Sequence, residues 1–288
     1  MGTPRRVRGV SVGAARRKSV RPAFESGIVG VMSQQTGRRP RRVGHKGAAH
    51  IETGNTLASF DAALEHDVDM IELDVLSEDP RGGGTAAAGG GRLLVAHDYE
   101  DVHSREPLEL EQALEHLAGE RFAGMELDVD IKLPGYELRV LEALRSFGLI
   151  ERTLVSGMFP ASLARLRTAE PALRLGWSVP RVRRDYTKDM LTVIPALVML
   201  GVYRATLPRR VGAALRSGRV DAIMAHWRVV SRGLLRAVSE AGGELYVWTV
   251  DDSRLIERLT ALGVDGIITN DPRLFGSQPS SPASSSPP

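Results

Sequence analysis

The sequence predicts one α/β domain, a (β/α)8 TIM barrel, over residues 43–276. Short β-like runs alternate along this stretch with helical stretches, which gives about eight strands and seven or more crossover segments. Repeated β-α units imply a parallel sheet, and about 235 residues suit a barrel with a typical length of ~250. A doubly wound open sheet is the main competitor, although no glycine-rich dinucleotide loop follows the first strand.

The strands are predicted from short runs of aliphatic and β-branched residues. In chain order they are Val43–Ala48, Asp69–Leu76, Gly124–Lys132, Thr153–Ser156, Leu173–Trp177, Val220–Ala225, Glu244–Val250 and Gly263–Thr269. Helices are predicted where apolar residues recur every three or four positions. They are Asn55–Glu65, Glu109–Ala118, Glu137–Phe147, Ala161–Ala169, Arg232–Ala241 and Ser253–Leu262. The stretch 181–219 is ambiguous, and helices are expected in its apolar and amphipathic parts.

Composition excludes several classes of protein. The chain of 288 residues has no cysteine, so disulfide scaffolds, thiolate zinc sites, iron–sulfur clusters and cysteine nucleophiles are excluded. No apolar run approaches the ~20 residues that span a bilayer. Hydrophobic residues at 42% and charged residues at 25% are typical of a soluble globular protein. We expect a cytoplasmic protein with no transmembrane segment and no convincing signal peptide.

The net charge of +3 hides two different regions. Residues 1–42 hold eleven Lys or Arg and one acid, a net +10, whereas the rest of the chain carries −7. The body is therefore mildly acidic and shows no basic face for nucleic acid. The expected partner is a small molecule, and the sequence makes no prediction of oligomeric state.

Both ends of the chain are predicted to be disordered. Residues 1–42 lack apolar periodicity, and their arginine clusters would repel one another in a compact state. This arm is a solvated segment with an internal start at Met32, a tether to anionic surfaces, or a twin-arginine export signal at Arg16-Arg17. Ser277–Pro288 reads as a flexible tail, and Asp79–Arg92 as a flexible glycine-rich excursion.

Charged residues gather where the predicted strands end, which is where barrels carry reactive side chains. His45 ends the first strand, and His97-Asp98 follows the apolar run Leu93–Ala96. Glu72 and Asp74 lie two apart on the second strand, so they share one face. On the third strand the charged residues that share a face are Glu126, Asp128, Asp130 and Lys132.

Charges that point into a packed barrel are costly unless they are paired or bound to a metal. This cost is the reason to predict a site. Oxygen ligands without a soft donor favour Mg²⁺ or Ca²⁺ over zinc, and two flanking histidines suit general acid and base work near neutral pH. A single Glu-x-Asp pair is common as a solvated face, and a lone His-Asp at a strand end commonly forms a turn. The prediction of a site depends on four patterns that occur in order, each at the end of a strand. They are His45, Glu72-Leu73-Asp74, His97-Asp98 and Asp130-Ile131-Lys132.

These residues resemble the glycerophosphodiester phosphodiesterase family over about 43–275. The order and span of the motifs make the resemblance specific, since each motif alone is weak. They are His45-Lys46-Gly47, Thr53-Gly54-Asn55-Thr56, Glu72-Leu73-Asp74, His97-Asp98, Asp130-Ile131-Lys132, Val247-Trp248-Thr249-Val250 and Gly263-Val264-Asp265-Gly266-Ile267-Ile268-Thr269-Asn270-Asp271-Pro272.

The resemblance implies a barrel with a bound divalent cation that hydrolyses glycerophosphodiesters to glycerol 3-phosphate and an alcohol. It implies His45 and His97 as the acid/base pair, without saying which is the acid. It also implies cation ligands at Glu72, Asp74 and Asp130, with Lys46 and Lys132 facing the phosphate. Trp248, at a strand end over the predicted mouth, and His226 are expected to line the substrate pocket.

Three positions depart from the family pattern. Lys46 replaces an arginine and loses its bidentate fork to phosphate. Gly54 replaces a glutamate, and Asp130 replaces a glutamate with a side chain one methylene shorter. These departures leave two alternatives open. One is lysophospholipase D or phosphoinositide phospholipase-like activity on the same barrel, and the other is a barrel that binds a ligand without turnover.

Overall fold

In the computed structural model, which describes residues 39–79, 91–180 and 193–276, eight parallel strands close into a barrel. The described residues hold ten strands, which are β1 (Arg41–Gly44), β2 (Met70–Ser77), β3 (Leu93–Val95), β4 (Leu108–Glu109), β5 (Glu126–Ile131), β6 (Thr153–Gly157), β7 (Arg174–Val179), β8 (Ala222–His226), β9 (Glu244–Trp248) and β10 (Gly266–Thr269). All of them except β3 and β4 belong to the barrel. Strand β1 pairs in parallel with both β10 and β2. The predicted barrel is thus confirmed, and the open sheet is excluded.

Two short strands lie outside the barrel. β3 runs antiparallel to the end of β2, with Val95 opposite Val75, and β4 pairs in turn with β3. This side hairpin follows the second barrel strand, where the sequence predicts only a flexible excursion and an apolar run. It matters for the site because His97 follows β3 and therefore comes from the hairpin, not from a barrel strand.

Eight α-helices connect these strands in the described residues. They are α1 (Leu57–Glu65), α2 (Tyr99–Ser104), α3 (Leu110–Leu117), α4 (Glu137–Ser146), α5 (Pro160–Ala169), α6 (Val193–Arg216), α7 (Arg232–Glu240) and α8 (Ser253–Leu262). The ambiguous stretch contains one long helix, α6, with Pro208 inside it. Within the part of the chain described here, no helix is both long and apolar enough to cross a membrane.

Several predicted boundaries shift for identifiable reasons. The first strand is Arg41–Gly44 and not Val43–Ala48, because the chain turns at once after Gly44. Helix α1 begins two residues later than predicted, because Thr56 caps it in a reciprocal pair with Ser59. The last strand begins at Gly266, because Gly263 ends α8 in the left-handed region at φ 81°.

The arginine run at the end of the predicted arm belongs in part to the barrel. Arg41 and Arg42 form the start of β1, and Arg39 pairs with Asp69 at 2.8 Å. The predicted repulsion is relieved because acids of the body neutralise these charges. Residues 1–38, 80–90, 181–192 and 277–288, which hold most of the arm, the excursion and the tail, lie outside the described residues.

A network of ion pairs closes the lower end of the barrel, where the strands begin. Arg41 binds Glu126 at 3.2 Å and Glu244 at 2.8 Å. Arg174 binds the same two carboxylates at 2.8 and 2.7 Å, and the hydroxyl of Tyr246 donates to Glu244. Glu126 is thus held at the opposite end of β5 from Asp130, although both side chains face inward.

Candidate active site

A cavity of about 550 Å³ opens at the upper end of the barrel, where the strands end. Both predicted catalytic histidines line it, and so do two of the three predicted metal ligands, Glu72 and Asp130. The remaining wall is part polar and part apolar. It includes Tyr99, Ser156, Met158, Phe159, Met224 and Trp248.

The turn after β1 places two of the site residues. Gly44 lies opposite Ile71 of β2, so the next residue, His45, comes beside Glu72. The turn is tight because Gly47 has φ 82° and packs against Ser59, where a Cβ would come within 2.5 Å of the helix backbone. It points the backbone N–H of Lys46 at the Glu72 carboxylate, to which that N–H donates at 2.7 Å.

The carboxylates converge because of the register between β2 and β5. Glu72 lies opposite Asp128, and Asp74 lies opposite Asp130. Glu72, Asp74 and Asp130 each offer one oxygen, and these oxygens all lie within 4.8 Å of one another. Asp74 is oriented by Asn55, whose amide donates to it at 2.9 Å and whose carbonyl oxygen accepts from the Asp74 backbone at 3.2 Å.

Two lysines reach the same carboxylates. The ammonium group of Lys132 contacts both Asp74 and Asp130, and that of Lys46 lies 3.6 Å from Asp74. Burial alone would raise the pKa of Asp74, but Lys132 and Lys46 hold that pKa well below its ordinary value. Burial opposes charge on Lys132 too, but Asp130 and Asp74 raise its pKa well above the ordinary value. Lys132 is therefore held charged beside the cavity.

The two other acidic residues of the cluster, Glu72 and Asp128, have carboxyl groups that are shifted toward the protonated form. Burial, followed by repulsion from Asp74, raises the pKa of Glu72 well above its ordinary value. Burial and the neighbouring Asp130 raise the pKa of Asp128 to about 8. A divalent cation among these carboxyl groups would favour their ionised form, because its positive charge would offset the repulsion between them. Hard oxygen donors are the ligand type that Mg²⁺ and Ca²⁺ prefer, and the cluster fits such a cation.

His45 is largely enclosed, with 19% of its side chain exposed, and its two ring nitrogens have different neighbours. Nδ1 lies 2.7 Å from the carboxamide oxygen of Asn270, and Nε2 lies 3.8 Å from a Glu72 oxygen. Burial lowers the pKa of His45 to about 4. This imidazole is therefore neutral near pH 7.

His97 is more exposed, at 49% of its side chain, and has a charged partner. Its Nδ1 donates to the Asp98 carboxylate at 2.8 Å, and its backbone N–H donates to Asp101 at 3.2 Å. Asp98 caps helix α2, because its carboxylate accepts a hydrogen bond from the backbone N–H of Asp101. This bond and the one from His97 lower the pKa of Asp98. The helix start thus fixes His97 at the rim of the cavity.

The two predicted pocket residues have different positions. Trp248 lines the cavity and is anchored by a hydrogen bond from its indole N–H to the Met224 carbonyl at 2.8 Å. His226 packs edge-on against the Trp248 ring at 5.2 Å and accepts from the Arg228 backbone. It supports the Trp248 ring and is not among the described residues that line the cavity.

Comparison with known proteins identifies the family. The sequence model of the glycerophosphoryl diester phosphodiesterase family matches residues 118–274, which is more than half of the chain. The chain belongs to that family. It is therefore a phosphoric diester hydrolase by descent. A glycerophosphodiester phosphodiesterase of Caldanaerobacter subterraneus subsp. tengcongensis is 25% identical over 80% of this chain and 93% of its own length.

Solved structures of glycerophosphodiester phosphodiesterases share the fold. One from Agrobacterium tumefaciens superposes with a TM-score of 0.57 at 21% identity, covering 82% of this chain and 98% of its own. An Oleispira antarctica phosphodiesterase, solved with the product sn-glycerol-3-phosphate, gives 0.56 at 16% identity and covers 82% and 94%. Because these sequence identities are below 25%, the structural similarity shows only that the chains share the barrel fold.

Sequence reasoning brought most of the site together but missed three members. It assigned no role to Asn55, Asn270 or Asp251, although the first two lie within motifs of the phosphodiesterase family. A signal exists for Asn55, which occupies the left-handed region at φ 61°, a conformation that Asn tolerates better than most residues. Asp251 offered no local signal, because its contact with Asn270 spans 19 positions.

Proposed function

We propose that the protein hydrolyses glycerophosphodiesters to glycerol 3-phosphate and an alcohol, with a divalent cation and with His45 and His97 as base and acid. One observation carries the proposal: two histidines with different partners, Glu72, Asp130 and Lys132 line one cavity of a size that suits a small ligand. Asp74 completes the carboxylate cluster, and Lys46 contacts Asp74. The family relatives that act on glycerophosphodiesters support the substrate class.

The carboxylate cluster would hold a cation, and the two lysines would attract the phosphate. Glu72, Asp74 and Asp130 are the residues that would hold the cation, which when bound polarises a phosphoryl oxygen and stabilises negative charge there. Lys132 lines the cavity and Lys46 adjoins its carboxylates, so both ammonium groups attract the anionic diester. Catalysis by such groups consists largely of positioning and charge stabilisation.

The neighbours of the two histidines favour one division of labour. His45 is enclosed and neutral, so its Nε2 accepts the proton from the oxygen that attacks phosphorus. As the new P–O bond forms, the P–O bond to the leaving alcohol breaks. His97 gives its proton to that alkoxide, and the Asp98 carboxylate stabilises the imidazolium before the transfer. When water attacks, the products are a phosphomonoester and an alcohol.

The rest of the cavity accommodates the organic part of the substrate. Trp248 and Phe159 present aromatic surface, whereas Ser156 offers a hydroxyl. An aromatic face suits both the carbon skeleton of glycerol and a cationic head group such as choline. The choice of alcohol then depends on how these side chains meet the head group.

The test is hydrolysis of glycerophosphocholine, glycerophosphoethanolamine, glycerophosphoglycerol and a lysolipid by the wild type, His45→Ala and His97→Ala. Each substitution should lower kcat by about 10²- to 10⁴-fold. His66→Ala, at the end of α1, is the matched control and should retain activity. Cleavage of the lysolipid alone would support a lysophospholipase D. If both variants kept wild-type turnover, the assigned roles would be wrong.

A further inference from the structure

A chain of hydrogen bonds extends behind His45, away from the cavity. The carboxamide oxygen of Asn270 lies 2.7 Å from His45 Nδ1, and the carboxamide nitrogen donates to the Asp251 carboxylate at 2.7 Å. The other oxygen of Asp251 accepts from the Asn270 backbone at 2.8 Å and from the Thr269 hydroxyl at 3.0 Å. Asn270 follows β10 directly, and Asp251 lies three residues beyond β9.

The order of donors and acceptors fixes the tautomer of His45. A carboxylate only accepts, so the nitrogen of the Asn270 carboxamide must face Asp251 and its oxygen must face His45. An amide oxygen also only accepts, so Nδ1 of His45 must carry the hydrogen. In the neutral ring Nε2 then holds the lone pair, and Nε2 is the nitrogen on the Glu72 side.

We propose that Asn270 and Asp251 are positioning residues that hold His45 in the Nδ1–H tautomer, so that Nε2 is free to accept a proton. The proposal rests on the proposed function, in which His45 is the base. Neither residue lines the cavity in the described part of the chain, so both act through the imidazole and not on the substrate. Asp251 acts one step further back, since it decides which way the Asn270 carboxamide faces.

The alternative is that these bonds merely join the loops after β9 and β10, which are already linked by the Val250 backbone N–H and the Ile268 carbonyl. Asp251→Asn separates the two explanations. The new amide keeps its oxygen on the Asn270 backbone and the Thr269 hydroxyl, so its NH₂ group faces the NH₂ group of Asn270. Rotation of the Asn270 carboxamide relieves this clash of donors, points its NH₂ at His45 Nδ1 and moves the ring hydrogen to Nε2.

The experiment combines histidine ¹⁵N NMR of the substrate-free protein with turnover of glycerophosphocholine. In the wild type the hydrogen should reside on Nδ1 of His45, and in Asp251→Asn on Nε2. The kcat of Asp251→Asn should fall by about 10²-fold or more, as for loss of a general base, while KM stays within about threefold. Asp252→Asn is the matched control: Asp252 caps α8 in the same loop and makes no contact with His45, so tautomer and kcat should be unchanged.

A double variant provides the rescue. In Asp251→Asn with Asn270→Asp, the new amide donates to the new carboxylate, which accepts from Nδ1–H, so the original tautomer and most of the turnover should return. Asn270→Ala removes the oxygen that accepts from His45 Nδ1, so its kcat should fall. Adding Asp251→Asn to Asn270→Ala should not restore that kcat. An unchanged tautomer and unchanged kcat in a folded Asp251→Asn protein would overturn the proposal. If the wild type hydrolysed no substrate, the proposed function would fail, while the NMR result would still decide the positioning role.

Discussion

Gly54 lies directly against the side chain of Lys46, so closely that a methyl group at Gly54 would come within 2.9 Å of the Lys46 Cβ and 3.0 Å of the Ala49 Cβ. The stem of Lys46 passes over this glycine, and its ammonium group lies 3.6 Å from Asp74. Two departures from the family pattern, a lysine for an arginine and a glycine for a glutamate, are therefore in contact. The position of the lysine depends on the absence of a side chain at residue 54.

Gly54→Ala should displace Lys46 and weaken binding of the substrate phosphate. We expect KM for glycerophosphocholine to rise about 3- to 10-fold, since moving one charge-assisted contact is worth roughly 1 kcal/mol, with a smaller effect on kcat. Steady-state kinetics measure both. Gly124→Ala is the control, because a methyl group there meets no other atom within 4 Å. An unchanged KM would show that Lys46 does not contribute to binding.

Glu126→Gln should destabilise the barrel and leave turnover intact. It removes a carboxylate that pairs with Arg41 and Arg174 at the end remote from the cavity. The pairs are partly exposed, so we expect a loss of about 1–3 kcal/mol in the free energy of unfolding by urea, between the values for exposed and buried pairs. Arg121→Gln, which breaks an exposed pair with Asp61, should cost less than about 1 kcal/mol. A fall in the kcat of folded Glu126→Gln protein would contradict a purely structural role for Glu126.

Asp128→Asn should become progressively more stable relative to the wild type as the pH rises. The pKa of Asp128 is raised from 3.8 to about 8, so the folded state binds this proton more tightly than the unfolded state. Its contribution to stability is present at low pH and is lost as the pH rises through 4 to 8. Between pH 5 and 8 the difference should grow by up to about 4 kcal/mol, at 1.36 kcal/mol per pH unit.

Urea unfolding of both proteins in excess chelator measures this difference without competition from a cation. Parallel stability curves for the wild type and Asp128→Asn would show that the carboxyl group is already ionised at pH 5.

Asp130→Glu should keep cation binding, and Asp130→Ala should lose it. The longer side chain retains the carboxylate, whereas alanine leaves only Glu72 and Asp74 in the cluster. By calorimetry with Mg²⁺ and Ca²⁺ we expect Asp130→Ala to bind at least about tenfold more weakly, since even residues behind the ligands contribute 10- to 100-fold. Equal affinity in Asp130→Ala and wild type would remove Asp130 from the ligand set.

The alternation of charged and apolar residues predicted correctly which side chains face into the barrel, but not at which depth. Glu126 and Asp130 follow the same two-residue period, and the period alone does not tell the lower ion-pair network from the upper site. Depth depends on the register between β2 and β5, which puts Asp130 beside Asp74. Register is a tertiary property and leaves no mark in a single strand.

His97 and Asn270 show two other limits. The dipeptide His97-Asp98 marked a site residue, yet nothing local indicated that an antiparallel hairpin and not a barrel strand delivers it. Asn270 lies within a motif of the family, but the motif does not reveal its role. That role depends on the orientation of its carboxamide, which a hydrogen bond to Asp251 in another loop determines. The family and most of the side chains that gather at the cavity were thus predictable, whereas the residues that orient them required the assembled barrel.

The most direct test of the account is release of glycerol 3-phosphate from glycerophosphocholine by chelator-treated protein, before and after addition of Mg²⁺ or Ca²⁺, with Asp74→Asn in parallel. We predict that the chelated wild type is inactive, that one of the two cations restores turnover, and that Asp74→Asn stays inactive with either cation. Full turnover in excess chelator, or wild-type turnover in Asp74→Asn, would contradict the cation site at the centre of the account.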